Sequence, residues 1–529
     1  MTSFQEIKNA PLEEKIKMLS AEDKEYLKGY MDHALSAYKR IENLEIIRSR
    51  SKRTDSRASF EDRFLGIDIG TSSVKVLAFA GERRYKAREY YPLSTSPFEH
   101  DPQMVALTIH RALDRLFEES GLDPATVSGI GLCGHGPSLM FIDKNGLPLT
   151  SIVTWQDRRA LDEAEELRDT WEGFSKDGTS MEAKLLWFWR NHPKLFTAGI
   201  TALDPKSYVA FLLCGKRSID LSTASTIYYY NRVHDVWDGG ATGIPLDVMP
   251  EVFKPWQAIG TTQTEFSRTC GLPDGIPVYP GGIDAFCEAV GAGGFRDGVV
   301  VEGSGTSTCL SRPTAIDMSR SLHVLPDLSI RIETLSSTGA CYKWFQECFD
   351  DLDLYALTEL INADEPSCIL FLPYLAGERS PIWDEKARGV YVGIDLQTKA
   401  EAMLQALYQG VGFAIRQSLE SMGQGVRCVR AVGGVNRNDK WLQIKANICG
   451  VRFERMMEPD ASAFGAAIIA AIGSGAYEQS DFDSFIQPQT IFEPDMTSKQ
   501  KYDNLFASYK ALYGQLRDTF ADLYVCANG

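Results

Sequence analysis

Residues 64–80, FLGIDIGTSSVKVLAFA, place two short apolar runs rich in β-branched residues on either side of a polar turn. This pattern predicts a β-hairpin. Asp68 lies near the end of the first run, and the turn contains Gly70, Thr71 and Ser72. An aspartate suits a hydrated magnesium ion, whereas backbone N–H groups and hydroxyls suit phosphate oxygens. The turn therefore predicts a loop for phosphate and metal, although turns rich in Gly, Thr and Ser are also common for conformational reasons alone.

A second turn of the same kind supports the phosphate-loop interpretation. Residues 303–308, GSGTST, repeat the glycine and hydroxyl pattern roughly 235 residues further along the chain. We expect Gly305 and Thr306 to reach the same nucleotide from a second domain. A third turn begins at Gly433 and Gly434, after an apolar strand pattern, and paired glycines permit a backbone to approach a nucleotide closely.

The length of the chain predicts two large domains with a cleft between them, because 529 residues exceed what one hydrophobic core usually serves. Strand and helix patterns alternate, which indicates an α/β fold with mixed sheets. The alternation restarts after the glycine-rich residues 291–294. We therefore expect one domain over residues 63–294, a second over 295–485, and a C-terminal helical segment over 486–529.

Residues 1–62 have a different composition, rich in Glu, Lys and Arg and without a strand-like run. Apolar residues recur there at helical spacing after Ser20, which predicts an amphipathic helix whose apolar side needs a partner surface. A homodimer is one way to cover such a side. The basic residues 48–57 favour a solvated linker, so this extension is expected to be helical and separate from the chemistry.

Composition excludes several classes of partner. The formal net charge is −16 and the pI is near 5.1, which opposes general binding to nucleic acid or an anionic membrane. The eleven cysteines are scattered without zinc spacing, as in a reducing compartment. The N-terminus lacks the apolar core of a signal peptide, so we expect a cytoplasmic protein acting on a small molecule.

A candidate catalytic carboxylate, Asp284, follows two glycines and begins an apolar helical pattern in GGIDAF. As a general base it would accept a proton from a substrate hydroxyl, and an ordinary aspartate with a pKa of about 3.9 is ionised at neutral pH. The competing interpretation makes Asp284 a helix N-cap, a common role for aspartate.

The order of these motifs resembles that of the carbohydrate kinase family named FGGY, over residues 64 to 475. The resemblance is most specific in residues 372–394, LPYLAGERSPIWDEKARGVYVGI. It implies two ribonuclease-H-like domains, as in actin and hexokinase, with sugar bound mainly by the first and ATP by the second. The implied cofactors are ATP and Mg²⁺.

The resemblance also implies roles for individual residues. Asp68, Gly70, Thr71 and Ser72 match the first phosphate loop, with Asp68 towards the metal, and Gly305 and Thr306 match the second. Asp284 matches the general base and also contacts the substrate. Gly433 and Gly434 match the adenosine loop, with Asn438 at the position that reaches adenine in some members. His135, Trp155 and Asp157 match the substrate pocket of xylulokinase-like members.

Each sugar-side residue has a structural alternative. His135, between two glycines, suits a hydrogen-bonded structural histidine, and Asp157 suits an ion pair with Arg158. Lys184 lies in a helical pattern that matches a family position, but we interpret it as a solvated lysine and leave it out of the site.

The function implied is ATP-dependent phosphorylation of a sugar hydroxyl, with a ketopentose such as xylulose as the leading substrate. Glycerol or another polyol remains an alternative, because WQDR at residues 155–158 also resembles the glycerol kinase loop. Glycerol kinases, however, carry an arginine–glutamate pair near the position of His135. A non-catalytic, actin-like nucleotide switch remains a third possibility.

Overall fold

The hairpin predicted at residues 64–80 is present in the computed structural model, which describes residues 62–92, 95–171, 178–349 and 352–528. Its two strands pair antiparallel, and Asp68 of the first faces Lys75 of the second. The predicted N-terminal helix and basic linker lie outside the described residues.

The hairpin belongs to the first of two six-stranded mixed sheets. Other strands of the described residues pair in two-stranded sheets. In chain order, all the described strands are β1 (Arg63–Ile69), β2 (Ser73–Ala80), β3 (Arg83–Tyr90), β4 (Glu99–His100), β5 (Val127–Gly134), β6 (Met140–Ile142), β7 (Ile152–Val153), β8 (Thr201–Leu203), β9 (Ser218–Asp220), β10 (Tyr230–Asn231), β11 (Val236–Trp237), β12 (Glu251–Phe253), β13 (Gly260–Thr261), β14 (Pro277–Ile283), β15 (Val299–Ser304), β16 (Thr308–Ala315), β17 (Leu328–Leu335), β18 (Leu370–Leu372), β19 (Val390–Val392), β20 (Cys428–Val432), β21 (Arg452–Met456) and β22 (Pro488–Phe492).

Helices flank both sheets. They are α1 (Pro102–Ser120), α2 (Leu161–Thr170), α3 (Met181–Asn191), α4 (Pro205–Cys214), α5 (Leu221–Ala224), α6 (Glu265–Thr269), α7 (Asp284–Gly291), α8 (Gly339–Cys348), α9 (Leu354–Leu360), α10 (Ala400–Ser421), α11 (Asp439–Cys449), α12 (Ala461–Ser474), α13 (Phe482–Phe485) and α14 (Met496–Asn528). Among the described helices, none has both the length and the apolar character needed to cross a bilayer.

The two sheets have the same arrangement of strands. The first has the order β13-β14-β5-β1-β2-β3 and the second the order β17-β16-β15-β20-β21-β22. In each, the strand before a phosphate-loop candidate pairs antiparallel with the next strand in sequence and parallel with a later one: β1 with β2 and β5, and β15 with β16 and β20. The α/β class with two mixed sheets is therefore confirmed.

Two helices, α7 and α12, pack against each other between the sheets. Glycines make the contact close: a Cβ on Gly291 of α7 would lie 2.0 Å from the carbonyl oxygen of Ala461, and one on Gly465 of α12 would lie 1.8 Å from that of Cys287. Because real Cβ atoms do not approach oxygen so closely, only glycine allows this contact.

Helix α12 also packs directly on the first sheet, although its sequence follows β21 of the second. A Cβ on Gly66 of β1 would lie 1.8 Å from the carbonyl oxygen of Ala463, and one on Gly131 of β5 would lie 1.9 Å from that of Ala466. These contacts join the two sheets through one helix.

Helix α10 begins without side-chain capping. Thr398 and Glu401 have the spacing of a capping box, but α10 has Lys399 at its N-cap and no side-chain cap. The hydroxyl of Thr398 instead donates to the Asp395 carboxylate in the preceding turn, 3.0 Å away. This local turn competes with capping for the hydroxyl.

The glycine contact between β1 and α12 generates a stability prediction. Gly66→Ala should lower the free energy of unfolding by about 2 kcal/mol or more, because the new methyl group collides with a backbone carbonyl that cannot move alone. Chemical denaturation of the purified chain measures this change.

The matched control is Gly514→Ala, because Gly514 lies in α14 with open space around the position of a Cβ. That substitution should leave stability equal or raise it by up to about 1 kcal/mol through helix propensity. Equal stability of the two variants would contradict the close packing of α12 on β1.

Candidate active site

Asp68, near the end of β1, is buried and held from two sides. Its Oδ2 accepts hydrogen bonds from the Lys75 ammonium (2.9 Å) and from the Ser462 hydroxyl at the start of α12 (2.6 Å). Its Oδ1 is buried and has no protein partner among the described residues. The charge of Asp68 raises the pKa of Lys75, so this lysine stays protonated. Asp68 thus keeps one oxygen for a ligand.

The turn after Asp68 is tight. The Gly70 N–H donates to the Ser73 carbonyl (3.0 Å), and the Thr71 hydroxyl accepts a hydrogen bond from the Trp155 indole N–H (3.0 Å). Ser72 is exposed at the turn. The first loop is therefore linked to the segment predicted to bind sugar.

Asp284 is the first residue of α7, directly after β14. Its Oδ1 accepts a hydrogen bond from the next N–H, that of Ala285 (2.8 Å), whereas the N-cap position belongs to Ile283, with no side-chain cap. The helix-cap alternative is therefore wrong. The protein around the carboxylate raises its pKa to about 7, mainly through desolvation and also through the charge of Asp68.

Glu288 lies one turn after Asp284 on α7. Desolvation raises its pKa to about 8; Lys75 opposes the shift, and the carboxylates Asp284, Asp68 and Glu302 add to it. A Cβ on Gly303 would lie 1.6 Å from Glu288 Oε1, so the carboxylate rests on the backbone of β15. Asp68 of the first sheet and Asp284 and Glu288 of α7 thus act on one another beside Lys75.

The second loop turns between β15 and β16, where the Gly305 N–H donates to the Ser307 carbonyl (2.9 Å). The carbonyls of Gly305 and Thr306 accept hydrogen bonds from backbone N–H groups at the start of α8 (3.0 and 3.1 Å). The Ser304 and Thr308 hydroxyls lie 2.7 Å apart beneath the turn. These bonds hold the loop in one conformation.

Glu302, in β15 just before this loop, forms a fully buried ion pair with Lys445 of α11. Lys445 also donates to the Asn436 side chain (2.8 Å). A buried ion pair needs such added hydrogen bonds to offset the desolvation of its charges. The pair connects the second loop to the helix that follows the third.

The third loop packs on the second. Gly433 has a φ of 91°, and a Cβ there would lie 2.3 Å from the Ser304 carbonyl oxygen. Gly434 has open space at the position of its Cβ. Asn438 caps α11 by accepting from the Trp441 N–H (3.0 Å), and its amide donates to the Tyr408 hydroxyl (3.0 Å). The structure thus brings the second and third loops together and gives Asn438 a capping role.

His135 follows β5 and is buried. Its Nδ1 lies 2.8 Å from the Ser138 hydroxyl, and its Nε2 has no protein partner among the described residues. Burial, with smaller effects of His100 and Lys184, lowers the pKa of His135 to about 3, so the ring is neutral. A neutral ring with one free nitrogen can exchange a hydrogen bond with a substrate hydroxyl.

Asp157 forms an ion pair with Arg159, not with Arg158 as the sequence suggested. The Arg159 guanidinium donates to both carboxylate oxygens of Asp157, at 2.8 Å each, and also reaches Glu99, whereas Arg158 is exposed. Desolvation opposes ionisation of Asp157, but the bonds from Arg159 outweigh it and lower its pKa. The carboxylate is therefore ionised and fixed.

Lys184 on α3 is fully buried, so its interpretation as a solvated lysine is wrong. Its ammonium donates to the carbonyls of Pro137 (3.0 Å), Thr154 (2.8 Å) and Thr179 (2.8 Å). Pro137 and Thr154 lie close in sequence to His135 and Trp155, whereas Thr179 lies just before α3. Lys184 therefore holds the two sugar-side segments at a set distance.

Comparison with known protein families gives two matches in sequence order. Residues 63–291 match the N-terminal domain of the FGGY family of carbohydrate kinases, and residues 304–474 match its C-terminal domain. The chain belongs to the FGGY family of carbohydrate kinases. It is therefore an ATP-dependent phosphotransferase with a sugar substrate.

Relatives of this FGGY kinase differ in the substrate that their names state. A xylulose kinase from Staphylococcus epidermidis is 27% identical over 88% of this chain and 99% of its own. A glycerol kinase from Thermococcus gammatolerans is 24% identical over 83% of this chain and 94% of its own. A crystal structure described as a xyloylose kinase from Brucella ovis superposes with a TM-score of 0.77 at 27% identity, covering 86% of this chain and all of that one.

Several residues of this site were not predicted from the sequence. The register of the first hairpin could have shown Lys75 opposite Asp68, and helical spacing could have placed Glu288 on the same side of α7 as Asp284. Ser462 gave no signal, because its partner Asp68 lies far away in sequence. Lys184 matched a family position but was interpreted as solvated, because its carbonyl partners Pro137 and Thr154 are brought to it only by the fold. Arg159 was not predicted, because its neighbour Arg158 was the expected ion-pair partner of Asp157.

Proposed function

We propose that this FGGY kinase transfers the γ-phosphoryl group of ATP to a hydroxyl of a ketopentose such as xylulose. The observation that carries the proposal is the position of Asp284 at the start of α7, where its carboxylate has a raised pKa and interacts electrostatically with Asp68 of the first hairpin and Cys309 of the second. The nucleotide phosphates would lie between the two hairpins, with adenosine towards Gly433 and Gly434. A non-catalytic switch has no evident use for such a carboxylate.

The sugar assignment rests on the first domain. His135 offers a buried ring nitrogen that has no partner within the described part of the chain, and Asp157 offers a fixed, ionised carboxylate. Trp155, bonded to Thr71, would place the sugar next to the first phosphate loop. Relatives named xylulose kinases favour a ketopentose, and the glycerol kinase relative keeps glycerol as the second candidate.

The residues fit a magnesium ion bound with the nucleotide. Mg²⁺ in nucleotide sites takes one or two carboxylates and otherwise phosphate oxygens and water. Asp68 offers the free oxygen Oδ1 for this purpose, while Lys75 and Ser462 hold Oδ2. When bound, the ion would neutralise part of the phosphate charge.

Asp284 would accept the proton of the attacking sugar hydroxyl. Phosphoryl transfer passes through a loose transition state, so alignment of the hydroxyl and neutralisation of charge supply most of the rate, and proton removal comes late. The backbone N–H groups and hydroxyls of the two hairpins would orient the phosphates. Closure of the domains over bound sugar would exclude water, which would otherwise hydrolyse ATP.

The first test combines a substrate screen with Asp284→Asn. ADP release by the parent should depend on sugar and should be fastest with a pentulose among pentuloses, hexuloses, polyols and glycerol. The asparagine variant should lose roughly 10²–10⁴-fold in sugar-dependent turnover, because its amide cannot take the proton. Its melting temperature and ATP affinity should stay near those of the parent.

The outcomes separate the alternatives. Fastest turnover with glycerol would replace the ketopentose by the second candidate. ATP hydrolysis that is independent of every sugar, together with more than half the parent rate in Asp284→Asn, would contradict the kinase mechanism and favour the nucleotide switch.

The second test is His135→Ala, compared with His110→Ala on the surface of α1. Loss of a hydrogen bond to sugar should cost about 0.5–1.5 kcal/mol, so the KM for sugar should rise by up to about tenfold. The KM for ATP should stay near the parent value. The His110 variant should match the parent in both constants. Equal losses of sugar and ATP binding in His135→Ala would instead indicate a structural histidine.

A further inference from the structure

The two phosphate hairpins differ at one position where their sequences otherwise correspond. Aligned on their shared Gly-Thr-Ser, residues 68–72 read DIGTS and residues 303–307 read GSGTS. Asp68 is the second-last residue of β1, and its counterpart Gly303 is the second-last residue of β15. The second hairpin therefore has no carboxylate at the position where the first has one.

A carboxylate from elsewhere in the chain fills that place. A Cβ on Gly303 would meet Glu288 Oε1 at 1.6 Å, and the two next nearest atoms also belong to the Glu288 carboxylate. Gly303 lies outside the left-handed region of φ, so its conformation does not require glycine. The glycine instead makes room for Glu288, which comes from α7 and not from the hairpin.

The charged groups that act on Glu288 are mostly negative, so they would stabilise a bound cation. Asp284 on α7, Asp68 on β1 and Glu302 on β15 act on it as negative charges, and Lys75 on β2 acts as a positive one. Lys75 already bonds to Asp68 Oδ2, and Glu302 is already paired with Lys445. Asp68 Oδ1 is buried and has no protein partner among the described residues.

We infer that Glu288 supplies from α7 the carboxylate that the second hairpin lacks, and that Asp68 and Glu288 together hold the hydrated divalent cation of the nucleotide complex. The inference rests on the proposed use of magnesium with ATP, and it assigns one carboxylate ligand to each side of the nucleotide. Both carboxylates come from elements that precede the second sheet, and Gly303 of the second hairpin leaves space for one of them.

Mn²⁺ affinity, measured by electron paramagnetic resonance at saturating ADP, tests the inference without turnover. Glu288→Gln and Asp68→Asn should each weaken Mn²⁺ binding at least tenfold, because an amide is a poor substitute for a carboxylate ligand. Asp284→Asn is the matched control, since it removes the same charge from the same helix one turn away. It should weaken binding less than threefold.

A relocation of the carboxylate gives a second, independent readout. Glu288→Ala should weaken Mn²⁺ binding as Glu288→Gln does, and Glu288→Ala combined with Gly303→Asp should restore it to within threefold of the parent. The new side chain would occupy the space that the glutamate leaves. Gly303→Asp alone should lower the melting temperature, because Glu288 still fills that space.

The outcomes distinguish this inference from the proposed function. A parent that binds Mn²⁺ while Glu288→Gln loses no more affinity than Asp284→Asn overturns the inference alone. Failure of the double variant to regain affinity, with a melting temperature and a metal-free ADP affinity like those of the parent, also overturns it. A parent that binds no Mn²⁺ with ADP overturns the magnesium part of the proposed function, and this inference with it.

Discussion

The backbone contact between α12 and the first sheet is the constraint on which the rest of the structure depends. Gly66 and Gly131 let a helix that follows the second sheet approach two strands of the first at a distance that no side chain permits. The same helix meets α7 through a second pair of glycines, Gly291 and Gly465. Because Ser462, in the first turn of α12, bonds to Asp68, this packing also sets the position of the turn after β1.

A consequence of this packing is a concentration of carboxylates that the protein only partly neutralises. Asp68, Asp284 and Glu288 act on one another, and Lys75 is the cation that faces them in the described residues. Desolvation is the main cause of the raised pKa values of Asp284 and Glu288, and the repulsion among these carboxylates adds to it. A site poised in this way suits a cation bound with phosphates and a base that titrates near neutral pH.

The sequence allowed the fold class, the hairpins and the family to be predicted because these depend on local patterns. Residues 64–80 and 303–308 show apolar runs around polar turns, and the order of motifs carried the resemblance. Contacts between distant segments could not be predicted from the sequence. Examples are the contacts of Ser462 with Asp68, of Lys184 with the carbonyls of Pro137 and Thr154, and of Glu288 with Gly303. The expectation that Asp284 has an ordinary pKa was also wrong, because desolvation depends on residues that only the fold brings together.

The pH dependence of sugar phosphorylation tests the central claim, that the fold builds an active site around an aspartate with a raised pKa. As the proposed base, Asp284 would have to be ionised to accept a proton, so kcat/KM for sugar should fall about tenfold per pH unit below a pKa near 7. The account predicts an acid limb centred near pH 7 in the parent and its absence in the residual activity of Asp284→Asn. A parent profile that stays flat down to pH 5, as an ordinary aspartate would give, would contradict the account.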